Sequence, residues 1–445
     1  MSLEEIRTTP PIPPGKTSRA VLPSLRVLFG ETQGVLMSPR LIVDGSLTLG
    51  REVEHEELAA LRVDTSISRR HAILEVSTSP IRCRITDSGS RNGTFVNGVR
   101  VSASDIDDGD VIRVGNSILL WRHEPAEQAD APLSRLAGRS PAICFVRSCV
   151  SHVASTPATV LLLGESGAGK SLVALAIHEE SGRTGPFMSV NCAAIPDTLA
   201  ESQLFGHVAG AFTGARNDHA GFFRSAHGGT LFLDEIAELS LPVQAKLLGA
   251  LEDRAVIPVG GVHPIPCDVR VIAATNSDLA EAVAHRAFRG DLFARVGELI
   301  VTLPPLRERR EDILPLFVSG FPDGMPRLSP ELAEALLLYK WPYNVREVQK
   351  VAMQLKINGA NQERFELSMI SDRLGISSTE QPVSSAKPEP TRDRQPIPTR
   401  PQLEQMLREH QGRISEIAAL TGRSRKQVYR WLAQYDLLAD DFREK

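Results

Sequence analysis

The chain lacks most of the features that would give away its class. Its 445 residues hold only five cysteines, an odd number, and no two of them form a C-x-x-C pair. A disulfide framework and a zinc knuckle are therefore excluded, and ordinary thiols in a reducing cytoplasm are expected. A basic excess is also missing. The formal net charge is −4, so any nucleic-acid binding has to be a local property of one segment. No apolar run approaches the ~18–20 residues that a membrane span needs. The opening stretch, MSLEEIRTTPPIPPGK, has no charged-then-apolar order of a signal peptide. The aspartate pattern of a two-component receiver is absent as well. What remains is a cytoplasmic chain without a membrane partner, long enough for about two to four domains.

What is present centres on residues 159–235. The apolar run Thr159-Val-Leu-Leu-Leu163 leads into Gly164-Glu165-Ser166-Gly167-Ala168-Gly169-Lys170-Ser171 and then Leu-Val-Ala-Leu-Ala-Ile. Strand, glycine loop and amphipathic helix in this order are the setting that GxxxxGK[ST] requires. The glycines let successive N–H groups turn inward toward phosphate oxygens, with the positive end of a helix dipole beneath them. Lys170 is placed to hold the β- and γ-phosphates of ATP, and the Ser171 hydroxyl to ligate Mg2+. Further on, Gly228-Gly-Thr-Leu-Phe-Leu-Asp-Glu235 is an apolar strand ending in two carboxylates. Asp234 would support the magnesium, and Glu235 would polarise the attacking water, which is most of what phosphoryl transfer asks of a protein.

Between these two motifs lies Glu201-Ser-Gln-Leu-Phe-Gly-His-Val-Ala-Gly-Ala-Phe-Thr-Gly-Ala215, ending in the uncharged string GAFTGA. Composition alone allows a tight turn with Phe212 in the core, or a loop presenting Phe212 and Thr213 at its tip. With this string the chain, over about residues 134–372, resembles the sigma-54-dependent transcriptional activators (bacterial enhancer-binding proteins). In that family GAFTGA engages the sigma factor. The resemblance implies an α/β AAA+ P-loop ATPase and assigns further roles. Asn191 would hydrogen-bond and switch the catalytic glutamate, and Asn276 would sense the γ-phosphate. Arg289 and Arg295 would reach into a neighbouring subunit's nucleotide. From a small helical lid at roughly 313–372, entered through Leu303-Pro-Pro-Leu-Arg-Glu-Arg-Arg-Glu-Asp-Ile313, Arg346 would act as a second nucleotide sensor. Tyr343 stands where the family has glycine, which predicts a strained turn if that position needs positive φ. Gly249 replaces a residue that is usually charged and weakens a helix by about 1 kcal/mol.

Ahead of this domain, residues 1–24 are rich in Pro, Thr and Ser and read as unstructured. From 25 to 123, short β-branched runs alternate with turn signals, the pattern of an all-β sandwich. Its turns carry Leu49-Gly50-Arg51, Ser68-Arg69-Arg70-His71 and Asp87-Ser-Gly-Ser-Arg-Asn-Gly-Thr-Phe-Val-Asn-Gly98. These resemble a forkhead-associated domain, a phosphothreonine reader. Arg51 would fork onto the phosphate, Ser68 would donate a hydroxyl, and Asn92 would hold the peptide backbone, with Arg69 and Arg91 nearby. His71, Asn97 and Gly98 would keep the loops in shape. A polar linker follows at about 124–133.

Residues 373–400 form a Ser/Thr/Pro-rich tether with a root-mean-square span of roughly 25–30 Å. The last segment, 401–445, has helical spacing at Leu403, Met406 and Leu407, at Ile414, Ile417 and Ala418, and at Val428, Trp431 and Leu432. Thr421-Gly-Arg-Ser424 supplies a helix stop, a turn and a serine cap. The segment resembles the factor-for-inversion-stimulation type of helix-turn-helix, an all-α domain. Ser424, Arg425, Lys426, Gln427 and Arg430 face the groove in that resemblance.

The expected protein is thus multidomain: an all-β sandwich, an α/β AAA+ core with a helical lid, and a helix-turn-helix. It would activate transcription by ATP-driven remodelling of the sigma-54 RNA polymerase closed complex, bound to enhancer DNA. Its expected state is a homo-oligomer, a dimer at rest and a hexameric or heptameric ring when active, under the control of a phosphothreonine protein or peptide. The competing reading is a DNA-bound repressor or phosphopeptide adaptor whose ATPase only controls assembly.

Overall fold

The computed structural model describes residues 21–374, except 31–33, 37, 126–132, 134, 322–323, 325–326 and 360–361, together with 400–410 and 437. The chain divides into two units, Met1–Ser378 and Thr379–Lys445.

The first unit opens with the expected sandwich, one sheet of seven strands facing one of four. Its first strand, Val21–Gly30, lies antiparallel to its last, Ser117–Pro125, beginning with Val21 opposite Pro125. Among the described residues the sandwich therefore runs from Val21 to Pro125, beyond the expected limits of 25 and 123. Residues 21–24, expected to be unstructured, are held by ladder pairing to 122–125. Alternate residues, including Leu25, Val27, Leu119 and Trp121, fill the space between the sheets. The intervening Leu28, Ile118 and Leu120 are buried too, so the stretches Pro23–Gly30 and Ser117–Trp121 of these two strands have no solvent face. A sandwich strand with one wet face would alternate apolar and polar residues.

The central domain is a parallel sheet in the order Phe187–Asn191, Thr230–Asp234, Arg270–Thr275, Val160–Leu163, Leu299–Thr302. Its strands read as near-continuous apolar runs because both faces are covered, one by the cluster around Leu231 and Leu247, the other by that around Val150 and Ile177. The carboxyl ends of the strands bring the glycine loop, Asp234 and Thr275 to one edge, where α/β sheets bind ligands.

The lid comprises the helices Ile313–Val318, Pro330–Leu338, Asn344–Asn358 and Ser371–Leu374. Ser329 caps the second by accepting from the Leu332 amide at 3.2 Å, with Pro330 at the first helical position. Buried Trp341 donates its indole N–H to the Leu336 carbonyl at 2.9 Å. The lid core is not closed by the lid alone, because Leu28, Phe29, Val111, Ile118 and Leu120 of the sandwich belong to the same buried cluster.

In the second unit, residues Arg400–Glu409 form a helix in which Leu403 and Leu407 are buried, one turn apart as their spacing predicts. The DNA-contact candidates Ser424, Arg425, Lys426, Gln427 and Arg430 lie outside the described residues. No helix among the described residues is long and apolar enough to cross a membrane. All five cysteines are buried free thiols, and burial pushes Cys192 up to about 12.

Candidate nucleotide site and its flanking loops

Gly164, Gly167 and Gly169 have φ of 157°, 76° and 113°, so the loop takes the turns that only glycine adopts cheaply. The helix Lys170–Glu180 starts on its last residue. Lys170 is 6% exposed. Its ammonium donates to the Gly164 carbonyl at 2.8 Å and lies 3.5 Å from the Glu235 carboxylate. Ser171 is exposed beside it.

Asp234 ends its strand, and Glu235 follows at φ 53° and ψ 53°, a left-handed conformation that costs a non-glycine residue on the order of 1–3 kcal/mol. The strained turn aims the Glu235 carboxylate between Lys170 and the Asn276 backbone N–H, which donates to it at 3.2 Å. Burial, and then the charge of Glu235, push Asp234 above the usual carboxylate range. Two crowded carboxylates beside a buried lysine and an exposed serine at a helix N-terminus suit a nucleoside triphosphate with a divalent cation, so ATP and Mg2+ fit the residues present.

Asn191 ends the strand next to that of Asp234 and lies opposite it in the ladder. Its side chain accepts from the Ala193 amide at 3.0 Å as a cap, so the structure brings Asn191 to the site without an amide contact to Glu235. Arg346 donates to the Ser166 hydroxyl of the glycine loop at 3.2 Å. Tyr343 has φ −110°, while Asn344 and Trp341 carry the positive φ of 51° and 49°. The turn therefore makes no demand that tyrosine cannot meet.

Sequence reasoning missed the residues that lock lid to loop. Asn344 donates to the Glu165 carboxylate and to the Ser166 carbonyl, both at 3.1 Å, and accepts from the Leu306 amide at 2.7 Å. Arg307 forks onto Glu165, which holds that carboxyl below its usual range. Buried Arg309 donates to the Ala168 carbonyl at 2.9 Å. The charged run 307–312 was the available signal, although its pairing could not be read from order alone.

Arg289 and Arg295 lie at the two ends of the helix Gly290–Val296. Arg289 is half-exposed and paired with Asp291. Arg295 is paired with Glu298, donates to the Leu251 carbonyl, and is more tightly held.

The GAFTGA segment is a closed loop pinned by the Gly210 amide on the Ala215 carbonyl at 2.8 Å. Phe212 and Thr213 are both exposed, as a tip requires, and the Phe212 ring rests edge-on against His207 with centroids 5.0 Å apart.

In the sandwich, Arg51, Arg69, Arg91 and Asn92 are exposed and Ser68 is half-buried, all on neighbouring loops. Gly50 is needed there, because a Cβ would sit 2.0 Å from the Arg69 carbonyl oxygen. Fully buried His71 accepts from the Ser68 amide on Nδ1 and meets the Gly93 carbonyl through Nε2, which fixes a neutral ring protonated on Nε2. Asn92 donates to the Ser66 carbonyl at 2.7 Å, and Asn97 ties its loop to Val111 and Asp110.

Residues 136–302 match the family model of the Sigma-54 interaction domain, and residues 47–115 match that of the FHA (forkhead-associated) domain. The chain thus carries a Sigma-54 interaction domain behind an FHA domain, the former shared with sigma-54-dependent transcriptional regulators. It is 42% identical over 321 residues to the Nif-specific regulatory protein of Azospirillum brasilense, covering 68% of this chain and 50% of that protein. It is also 45% identical over 264 residues to the C4-dicarboxylate transport transcriptional regulatory protein DctD of Pseudomonas aeruginosa, covering 58% and 54%. The chain thus spans about half the length of the curated relatives it matches. Among solved structures, NtrX from Brucella abortus in complex with ADP aligns with a TM-score of 0.51 at 30% identity, over 68% of this chain and 70% of that one. The central domain, which matches the Sigma-54 interaction domain, is an AAA+ ATPase domain.

Proposed function

We propose that this regulator binds DNA upstream of sigma-54 promoters through its C-terminal segment. It uses ATP hydrolysis in an oligomeric ring to drive the Phe212–Thr213 loops against sigma-54 in the closed polymerase complex. Bound ATP with Mg2+ supplies the γ-phosphoryl group and the charge neutralisation that its transfer needs. Lys170 and the loop amides bind the phosphates, Ser171 and Asp234 face the cation, and Glu235 orients the water. Asn276 and Arg346 read the nucleotide state, Asn191 tunes the acidic strand ends, and Arg289 or Arg295 completes a neighbour's site. Phosphothreonine recognition by Arg51, Ser68 and Asn92, with Arg69 and Arg91 alongside, supplies the signal.

One observation carries this reading most directly: the exposed Phe212 and Thr213 stand on a pinned loop apart from a fully equipped nucleotide site. An ATPase that only controlled its own assembly would have no use for that loop. The test is transcription from a sigma-54 promoter with purified components, with and without a phosphothreonine peptide. Thr213→Ala is expected to abolish transcription and keep ATPase activity. Loss of both together would mean that the loop serves the fold, and the reading would fall.

A further inference from the structure

The forkhead-associated sandwich has a second worked surface besides its phosphate loops. On its outer sheet face, Leu28, Phe29, Val111, Ile118 and Leu120 are each at most 5% exposed and share one core with Ile313, Leu314, Phe317, Leu336 and Trp341 of the lid. Around this apolar patch stand charged contacts. Arg113 meets Glu334 at 2.8 Å with both side chains largely buried. Arg122 lies 3.8 Å from Glu311, and Arg310 donates to the Gly109 carbonyl at 2.5 Å.

These contacts reach past the lid body. Residues 306–312 join the ATPase sheet to the lid, and neighbouring side chains in that joint face opposite ways. Arg309 holds the Ala168 carbonyl of the phosphate loop, whereas Arg310 holds Gly109 of the sandwich. Asp312 accepts from the Arg139 and Ser140 amides and from the Ser140 hydroxyl. The sandwich therefore grips both the lid helices and the segment that joins them to the ATPase sheet.

We infer that the sandwich is a fixed brace on the lid and its joint, so that the two move as one body through the nucleotide cycle. Relative motion is the default for domains that meet through small polar interfaces, but not for those that share an apolar core. Separating these two would also break the Arg113–Glu334 pair and uncover the apolar patch it flanks. One route runs from the phosphate loops to the lid: Phe95 follows Asn92 by three positions, the Arg113 guanidinium lies 3.8 Å from its ring centroid, and Arg113 holds Glu334. A partner bound at Arg51, Ser68 and Asn92 then acts by loading the lid, without displacing the sandwich; this last step rests on the phosphothreonine reading above.

Hydrogen exchange on the full chain tests the brace, with no nucleotide, with ADP, and with a slowly hydrolysed ATP analogue plus Mg2+. Ser117–Pro125 and Pro330–Leu338 are expected to stay protected in all three, with rates within about threefold. Exchange of Ser117–Pro125 accelerated ~10-fold or more by any nucleotide would show undocking and overturn the brace. Arg113→Ala is expected to speed exchange in both segments together and to shift the KM for ATP about threefold or more, while phosphothreonine peptide affinity holds. Should that variant fail to fold, the isosteric Glu334→Gln takes its place. A response confined to the sandwich, with an unchanged KM, would overturn the proposal. If no phosphothreonine peptide binds but the coupled exchange is seen, the sensor reading fails and the brace stands.

Discussion

The Glu235 carboxylate accepts a hydrogen bond from the Asn276 backbone N–H at 3.2 Å while lying 3.5 Å from the Lys170 ammonium. One side chain therefore joins the acidic strand end, the buried lysine of the glycine loop and the residue that follows the strand Arg270–Thr275.

Removing its charge separates binding from turnover. Glu235→Gln is expected to leave ATP bound and to slow hydrolysis by roughly 10²–10⁴-fold, the usual worth of a positioned general base. Lys170→Ala is expected to weaken nucleotide binding itself. Fluorescent-nucleotide titration and steady-state ATPase assays read the two effects, and equal turnover in Glu235→Gln and the parent would refute the role.

The Arg295 guanidinium is engaged within its own chain by Glu298 and the Leu251 carbonyl, whereas that of Arg289 is tied only to Asp291 among the described residues. A finger acting in trans is worth ~10³–10⁵ in rate where it has been measured in GTPases. Mixing Lys170→Ala subunits with Arg289→Ala subunits, and separately with Arg295→Ala subunits, is expected to restore ATPase activity for whichever arginine reaches across. No rescue in either co-assembled mixture would argue against shared sites.

Gly249 lies inside the helix Leu241–Asp253, and a Cβ built on it meets nothing within 4 Å. Gly249→Ala is therefore expected to stabilise the protein by about 1 kcal/mol, through helix propensity alone. Chemical denaturation checks this, and a loss of stability would mean that the open space beside the helix is used.

Glu311 is buried at the joint with neither carboxylate oxygen hydrogen-bonded. Burial pushes it from its ordinary 4.5 up to about 7; Arg122 opposes the shift, while Asp312 and Glu124 add to it. Arg310 is the other charged group of that joint facing the sandwich. Because the folded pKa is raised, the contribution of Glu311 to stability is full below about pH 4.5 and is lost as pH rises through about 7. Glu311→Gln is expected to remove that loss, gaining on the order of 3 kcal/mol over the parent at pH 8 and little at pH 4.5. Denaturation midpoints compared at the two pH values measure it; a gap that does not widen with pH would refute the assignment.

The nucleotide site was legible because its motifs impose backbone geometry: three glycines forecast three positive φ values, and Asp234-Glu235 forecast a strand end. The sandwich was legible from the spacing of its turns. Other features depended on partners distant in sequence. Asn191 was expected to hydrogen-bond Glu235, but its side chain caps Ala193. The strain expected at Tyr343 falls on Trp341 and Asn344, since a turn can move its left-handed residue along the chain. The run Ser117-Ile-Leu-Leu-Trp121 did hold a clue, being apolar on both faces of a strand assigned to a two-layer sandwich. Only the lid explains it.

That doubly covered strand bears on where the protein can be cut. A fragment ending at Pro125 would retain Arg51, Ser68, Arg69, Arg91, Asn92 and its own inner core, yet it would lay bare Leu28, Phe29, Ile118 and Leu120 as one contiguous oily surface. Patches of that kind on small soluble domains promote self-association. The recognition module that motifs delimit is thus smaller than the piece of chain able to remain monodisperse, which must carry the helices from Ile313 to Leu374 with it.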